Sequence, residues 1–189
     1  MGASGELNTV DQLVLLLLRA DDAGPIPGKL FLQKEVFAIC MAQADLQDEL
    51  GFDPHLLGPF SDVLANEAEQ LALSGLIDYS RGAYRLTSEG NDAAASIAAV
   101  TPPGRMDEIV RAKKLLNDLS PDELLAMVYL APHARGFEDE SAEFKRIVSR
   151  RLPLALSLFR KGKVSTSRAA EIAGIAVDEF ISEFDRVPA

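Results

Sequence analysis

Between Phe144 and Ala170 the chain carries eight cations and no acid: Lys145, Arg146, Arg150, Arg151, Arg160, Lys161, Lys163 and Arg168. Side chains of this kind contact phosphate backbones or carboxylates. Arg146 and Arg150 are four residues apart and share a helix face. Arg81 and Arg85 lie in and beside a predicted hairpin loop and join the eight as candidate contacts for nucleic acid or an acidic partner. Two uses of the basic stretch are open. It contacts DNA backbone, RNA or an acidic protein, or it docks on the chain's own acidic first half, within the chain or across a dimer, or forms a solvated face.

Catalysis has no comparable cluster. His55 and His133 each lack a second His or Cys at ligand spacing, so zinc is not expected. Glu138-Asp139-Glu140 reads as a solvated acidic loop rather than a cation site. No Gly-rich phosphate loop, G-x-S-x-G or H-E-x-x-H occurs, and Ser61 is explained as a helix cap. A protein that is not an enzyme, with no catalytic residue, metal or cofactor, is the expectation.

Two helices stand where a DNA reader would lie, and both are acidic. Residues 61–74 carry Asp62, Glu67 and Glu69 with no Lys or Arg. Residues 178–185 carry Asp178, Glu179, Glu183 and Asp185, with no base until Arg186. Groove contacts need positive or amide groups. The net charge of −10 is placed to the same effect: residues 1–101 hold five Lys/Arg against fifteen Asp/Glu, and residues 102–189 hold fourteen of each. The first half repels nucleic acid at long range.

The elements that position these groups centre on Leu56–Leu86. Gly58-Pro59 makes a turn. Ser61 caps a helix to about Ser74 with an apolar stripe of Leu64, Ala68 and Leu71, and Gly75 stops it. Leu76–Tyr79 and Ala83–Leu86 are strands joined by Arg81-Gly82. Thr87 caps a helix over Ser88–Val100. Upstream, Thr9-Val-Asp-Gln12 reads as a capping box for a helix to about Arg19, with Leu13, Leu16 and Leu17 facing inward. Pro25-Ile26-Pro27 suits a short edge strand. Residues 29–44 form a helix apolar on most sides, which makes it the central core helix. Cys40, the single cysteine, reads as a buried hydrophobe there. Residues 45–57 read as polar, then irregular.

Thr101-Pro102-Pro103-Gly104 reads as a linker. Ser120-Pro121-Asp122-Glu123 starts another helix. Residues 144–159 are helical, with Pro153 marking a break or restart. Gly162–Phe184 reads as helix-turn-helix: Ala169-Ala170 lets two helices approach, Gly174 turns the chain, and Ile175 and Phe180 close a small core.

Leu32-Gln33-Lys34, an aromatic-rich segment and then Gly58-Pro59-Phe60-Ser61 resemble a group of bacterial and archaeal winged-helix proteins with LQK and GPYS-like motifs. The SocA-like, or Panacea, antitoxin domain is a more distant likeness. The resemblance covers roughly residues 10–90 and implies a winged helix, with Phe60 where these proteins usually carry tyrosine. Gly162, Lys163, Ser165, Ala169, Ala170, Glu171, Ala173, Gly174 and Phe180 resemble the tail of a family of small antitoxin-like proteins, which implies a helix-turn-helix there.

The expected fold is mainly α: a winged helix-turn-helix domain over 1–101, then a helical domain over 102–189 ending in a second helix-turn-helix near 162–185. The apolar residues Leu152, Leu154, Leu156, Leu158 and Phe159 interleave with the cations, which predicts that Phe144–Phe159 packs by its apolar face on the winged helix, in the same chain or in a dimer mate. One cysteine suits a reducing, cytoplasmic setting. Leu13–Leu18 is too short to span a bilayer, and Met1–Asn8 lacks the features of a signal peptide. The expected function is a non-enzymatic regulatory or antitoxin-like protein that binds another protein, a toxin or a second copy of itself. The alternative is a winged-helix transcriptional regulator that binds DNA through the basic stretch and the arginines of the hairpin.

Overall fold

The structure is a computed structural model that describes residues 7–41, 43–130 and 141–186. The chain start before residue 7, His133 and the acids at 138–140 lie outside them. The described residues form eleven helices and one two-stranded antiparallel sheet, so the protein is mainly α-helical. No helix among them is long and apolar enough to cross a membrane.

The chain divides into two compact units. The first comprises residues 1–53 and 60–118, the second residues 54–59 and 119–189. The division after residue 118, rather than at 101, follows from a helix that sequence patterning did not single out. This helix, α6 (Pro103–Leu116), packs on α1 (Thr9–Ala23) and α2 (Gly28–Cys40). The predicted linker is therefore the start of a helix inside the first unit.

Helix α1 is capped one residue earlier than the pattern suggested. The Asn8 side chain accepts from the Asp11 amide at 2.9 Å, and Asp11 accepts from the Asn8 amide at 3.1 Å. Leu13 to Leu18 are all buried, not one face of them. The helix is surrounded by α4 (Asp62–Leu73), α5 (Ser88–Val100), α6 and strand β2 (Ala83–Leu86), so it shares the central position with α2. Regular helix geometry ends at Arg19. Ala20 is extended, and Asp21, Asp22 and Ala23 are left-handed, with φ of 52°, 57° and 55°. That turn strands backbone carbonyls in the interior. Lys113 of α6 meets them: its Nζ donates to the carbonyls of Leu18, Ala20 and Gly24 at 3.1, 2.9 and 2.6 Å. Burial lowers the Lys113 pKa; the Glu35 and Asp21 carboxylates act in the opposite sense.

Residues 44–50, expected to be irregular, form a short helix, α3 (Ala44–Leu50). Leu46 and Leu50, one turn apart, are buried, and Gly51 ends it in the left-handed region at φ 52°. Strand β1 (Ile77–Ser80) pairs with β2 in the register Tyr79 opposite Tyr84 and Ser80 opposite Ala83. Arg81 and Gly82, at φ 52° and 73°, make the two-residue turn. Ile26 adds an isolated bridge to the other edge of β2: its amide donates to the Tyr84 carbonyl at 3.1 Å, and the Tyr84 amide donates back at 2.9 Å.

In the second unit, Ser120 and Glu123 form the expected capping box of α7 (Pro121–Tyr129). The break in the next segment falls at Arg150, between α8 (Ala142–Ser149) and α9 (Arg151–Arg160), and Pro153 sits in the first turn of α9. Leu154, Ala155, Leu156 and Leu158 are buried. Helix α9 packs on α7 and on α10 (Thr166–Ala173) of its own unit. Gly174 turns the chain at φ 72° into α11 (Val177–Arg186), whose Phe180 is fully buried 5.6 Å from the Phe159 ring.

Candidate functional site

Helix α4 is held at its start by a side chain from the middle of α2. Gln33 donates through Nε2 to the Ser61 carbonyl and accepts the Ser61 amide at Oε1, both at 2.9 Å. The Ser61 hydroxyl donates to the Leu50 carbonyl at 2.5 Å and accepts the Leu64 amide at 3.1 Å. Gln33, Ser61 and Leu50 are all buried. Ser61 is thus the expected cap, and the network ties α2, α3 and α4 at one point. The Asp53–Phe60 pair closes the neck of the preceding turn by two backbone hydrogen bonds of 2.9 Å.

Two buried charges follow Gln33 on the same helix. Burial pushes the Lys34 ammonium down to about 7. Glu35 is fully buried, and neither carboxyl oxygen has a hydrogen-bond partner among the described residues. Burial pushes its carboxyl up to about 8, with the Lys113 ammonium pulling the other way. Cys40 is buried as expected, and burial pushes its thiol up to about 12.

The clamp fixes which face of α4 is open. Leu64, Ala68 and Leu71 point into the core; Asp62, Asn66, Glu69 and Gln70 are exposed. Beside that face a cleft of about 290 Å³ is lined by Ala65, Asn66, Ala68, Glu69 and Ala72 of α4, Lys29 of α2, and Tyr79 and Tyr84 of the hairpin. The two tyrosine rings lie 4.4 Å apart at 38°. Burial, then Tyr79 and the Glu69 carboxylate, push the Tyr84 phenol up to about 12. None of the cleft residues was singled out as a contact from the sequence. The signal was present, because a two-residue loop at Arg81-Gly82 dictates that Tyr79 and Tyr84 face each other across the strands.

The sequence-predicted contact residues fall into two groups. Arg81 is exposed on the hairpin turn, and Arg85 donates to the Ser80 carbonyl at 3.1 Å. The others lie in the second unit, where most have internal partners. Arg146 forks onto Asp122 at 2.9 and 2.6 Å and onto Glu143 at 2.9 and 2.6 Å. Arg150 also donates to Asp122. Arg146 hydrogen bonds hold the Asp122 and Glu143 carboxyls below the usual carboxylate range. Lys161 and Ser157 donate to Glu123 at 2.7 and 2.6 Å. Burial opposes ionisation of Glu123, but the hydrogen bonds from Lys161, Ser157 and Ser120 prevail and hold it down to about 2.

Arg151 and Arg168 act on backbone. Arg151 caps the end of α10, donating to the carbonyls of Ile172 at 2.7 Å and Glu171 at 3.0 Å. Arg168 donates to the Leu130 carbonyl at 2.8 Å and to Glu171 at 2.5 Å. Arg160 lies 5.4 Å from the centre of the Phe184 ring. Lys163 is half-buried and Lys145 is exposed.

His55 is exposed on the turn that leads to Gly58, whose amide donates to the His55 carbonyl at 2.9 Å. No group of three or more His, Cys, Asp or Glu that could hold a metal ion occurs among the described residues. No protein-family model matches the chain, and no curated protein matches its sequence.

Proposed function

We propose that the chain is a non-enzymatic, antitoxin-like regulatory protein that acts by binding another protein, with a winged-helix first unit and a helix-turn-helix at its end. Helix α1, the Ile26 bridge, α2, α4 and the β1–β2 hairpin run in winged-helix order, with the short α3 between α2 and α4. Helices α10 and α11, joined at Gly174, support the helix-turn-helix reading of the tail. One observation carries the functional reading. Five of the eight cations of the basic stretch are engaged within the second unit: Arg146, Arg150, Lys161 and Arg168 pair with Asp122, Glu123, Glu143 and Glu171, and Arg151 caps the end of α10. The open face of α4 meanwhile carries Asp62 and Glu69 and no cation. A groove-reading helix with that charge repels the duplex it would enter. Co-expression with the product of the neighbouring gene, followed by size-exclusion chromatography and mass spectrometry, tests the reading. A stoichiometric complex is expected, and its absence counts against it.

The DNA-binding alternative keeps one specific support. Asn66 and Gln70 expose amides one turn apart on α4, the type of group that reads adenine edges, and Arg81 stands exposed on the hairpin. A salt-dependent shift of duplex DNA, weakened by Arg81→Ala and Lys145→Ala, would favour that alternative.

A further inference from the structure

We infer that the cleft between α4 and the hairpin receives an arginine side chain presented by a protein partner. The inference rests on the protein-binding reading and gives it a site. Ala65, Ala68 and Ala72 lie on successive turns of α4, and their small side chains leave the floor of the cleft open. The wall is aromatic. Tyr84 is buried and fixed by the Ile26 bridge, while Tyr79, stacked against it, is 45% exposed. A shallow slot walled by a presented ring suits a flat group, and guanidinium is the planar cation that stacks on aromatic faces.

Charge selects the sign. Glu69 stands on the rim, and its carboxylate is felt at the Tyr84 hydroxyl, whose ionisation it opposes. Asn66 adds an amide oxygen one turn earlier. The rest of α4 contributes Asp62 and Glu67 and no cation. Among the described residues Lys29 is the one cation lining the cleft, exposed at the start of α2. It opposes any incoming positive charge. A guanidinium offsets this by stacking and by donating a fork of N–H groups to Glu69, which an ammonium does not. An acidic peptide would meet Glu69 directly. An apolar side chain would leave Glu69 without a new partner.

The experiment uses the full chain and a blocked amino acid as the probe. N-acetyl-arginine amide is titrated into ¹⁵N-labelled protein, with N-acetyl-leucine amide as the comparison. Saturable shifts at Ala65, Asn66, Glu69 and Tyr79 are expected with arginine. Glu69→Gln and Tyr79→Ala should each weaken binding about two- to fivefold, the effect of losing one partly exposed charge or ring contact. Both side chains are exposed, and circular dichroism checks that both variants fold. Equal binding of the leucine probe, or no shift at these four residues, overturns the inference. A partner complex that survives the Glu69→Gln/Tyr79→Ala double variant overturns the cleft as the docking site and leaves the protein-binding reading standing. Arginine binding in a chain that forms no protein complex overturns that reading instead.

Discussion

Gln33 holds Ser61 by both of its backbone polar groups, donating to the carbonyl and accepting from the amide at 2.9 Å. The two residues come from the two short motifs on which the winged-helix resemblance rests, 28 positions apart. Their proximity gives both motifs one job, which is to set the start and the roll of α4. Gln33→Ala removes both hydrogen bonds and leaves a buried amide and carbonyl unsatisfied. A loss of about 2–4 kcal/mol in urea denaturation is expected. Ser61→Ala should cost about 1–2 kcal/mol through loss of the cap. Because the two side chains belong to one network, the double variant should cost less than the sum.

Gly90 and Gly104 separate a required glycine from a dispensable one. A Cβ on Gly90 would come 1.8 Å from the Leu76 carbonyl oxygen, where α5 crosses the end of the hairpin. The conflict is with backbone, so relief requires that α5 or the hairpin move. Gly90→Ala should cost about 1–3 kcal/mol. A Cβ on Gly104, in the first turn of α6, meets nothing within 4 Å. Gly104→Ala should be neutral or stabilise by up to about 1 kcal/mol. Thermal melts of the two variants side by side give the contrast.

Much of this architecture was legible because its signals are local. Ser61, Thr87 and Ser120 each cap the helix they precede. Arg81-Gly82 turns the hairpin. The rest depended on pairings that spacing does not carry. Lys113 lies 95 positions from Leu18, yet it places α6 in the first unit by capping the end of α1. Asp122 and Arg146, 24 positions apart, neutralise each other. From the sequence the arginine could only be counted as an available cation. Helix α3 was missed because two leucines one turn apart give too short a period to separate a helix from a loop. The cleft was missed because alanines and tyrosines read equally well as core.

The capping of α10 by Arg151 fixes Gly174 twice over. The residue is left-handed, and a Cβ there would lie 2.3 Å from the Arg151 guanidinium carbon. Gly174→Ala is therefore expected to cost about 1–3 kcal/mol, from the strained φ and the displaced arginine. Arg151→Ala should lose the cap alone and recover part of the tolerance for alanine at 174. A double-mutant cycle on the full chain, read by urea denaturation, should show a coupling above about 0.5 kcal/mol.

Glu35 makes a pH prediction whose sign is set by its burial. Its carboxyl is pushed up to about 8 from 4.5. Between those values the folded chain holds a proton on Glu35 that the unfolded chain releases. Stability from this group is therefore fully present below about pH 4.5 and is lost as pH rises through about 8. Glu123 works in the opposite sense and lower down. It is held at about 2, so its stability is present above about 4.5 and is lost as pH falls towards 2. The neighbouring Lys34, pushed down to about 7, lowers stability below the alkaline range and regains it as pH rises from about 7 to 10.5. The window from pH 5 to 7 is thus dominated by Glu35, with Glu67, whose carboxyl burial and then the Asp11 carboxylate also raise, adding a component of the same sign at its lower end. Wild-type stability in urea should contain a component that declines across that window, by about 1–3 kcal/mol. Glu35→Gln, which has no proton to lose, should abolish that component while leaving the acid-side loss from Glu123 in place. A variant that declines as steeply as the wild type between pH 5 and 7 would show that Glu35 is already ionised in the folded chain, held so by the Lys113 ammonium.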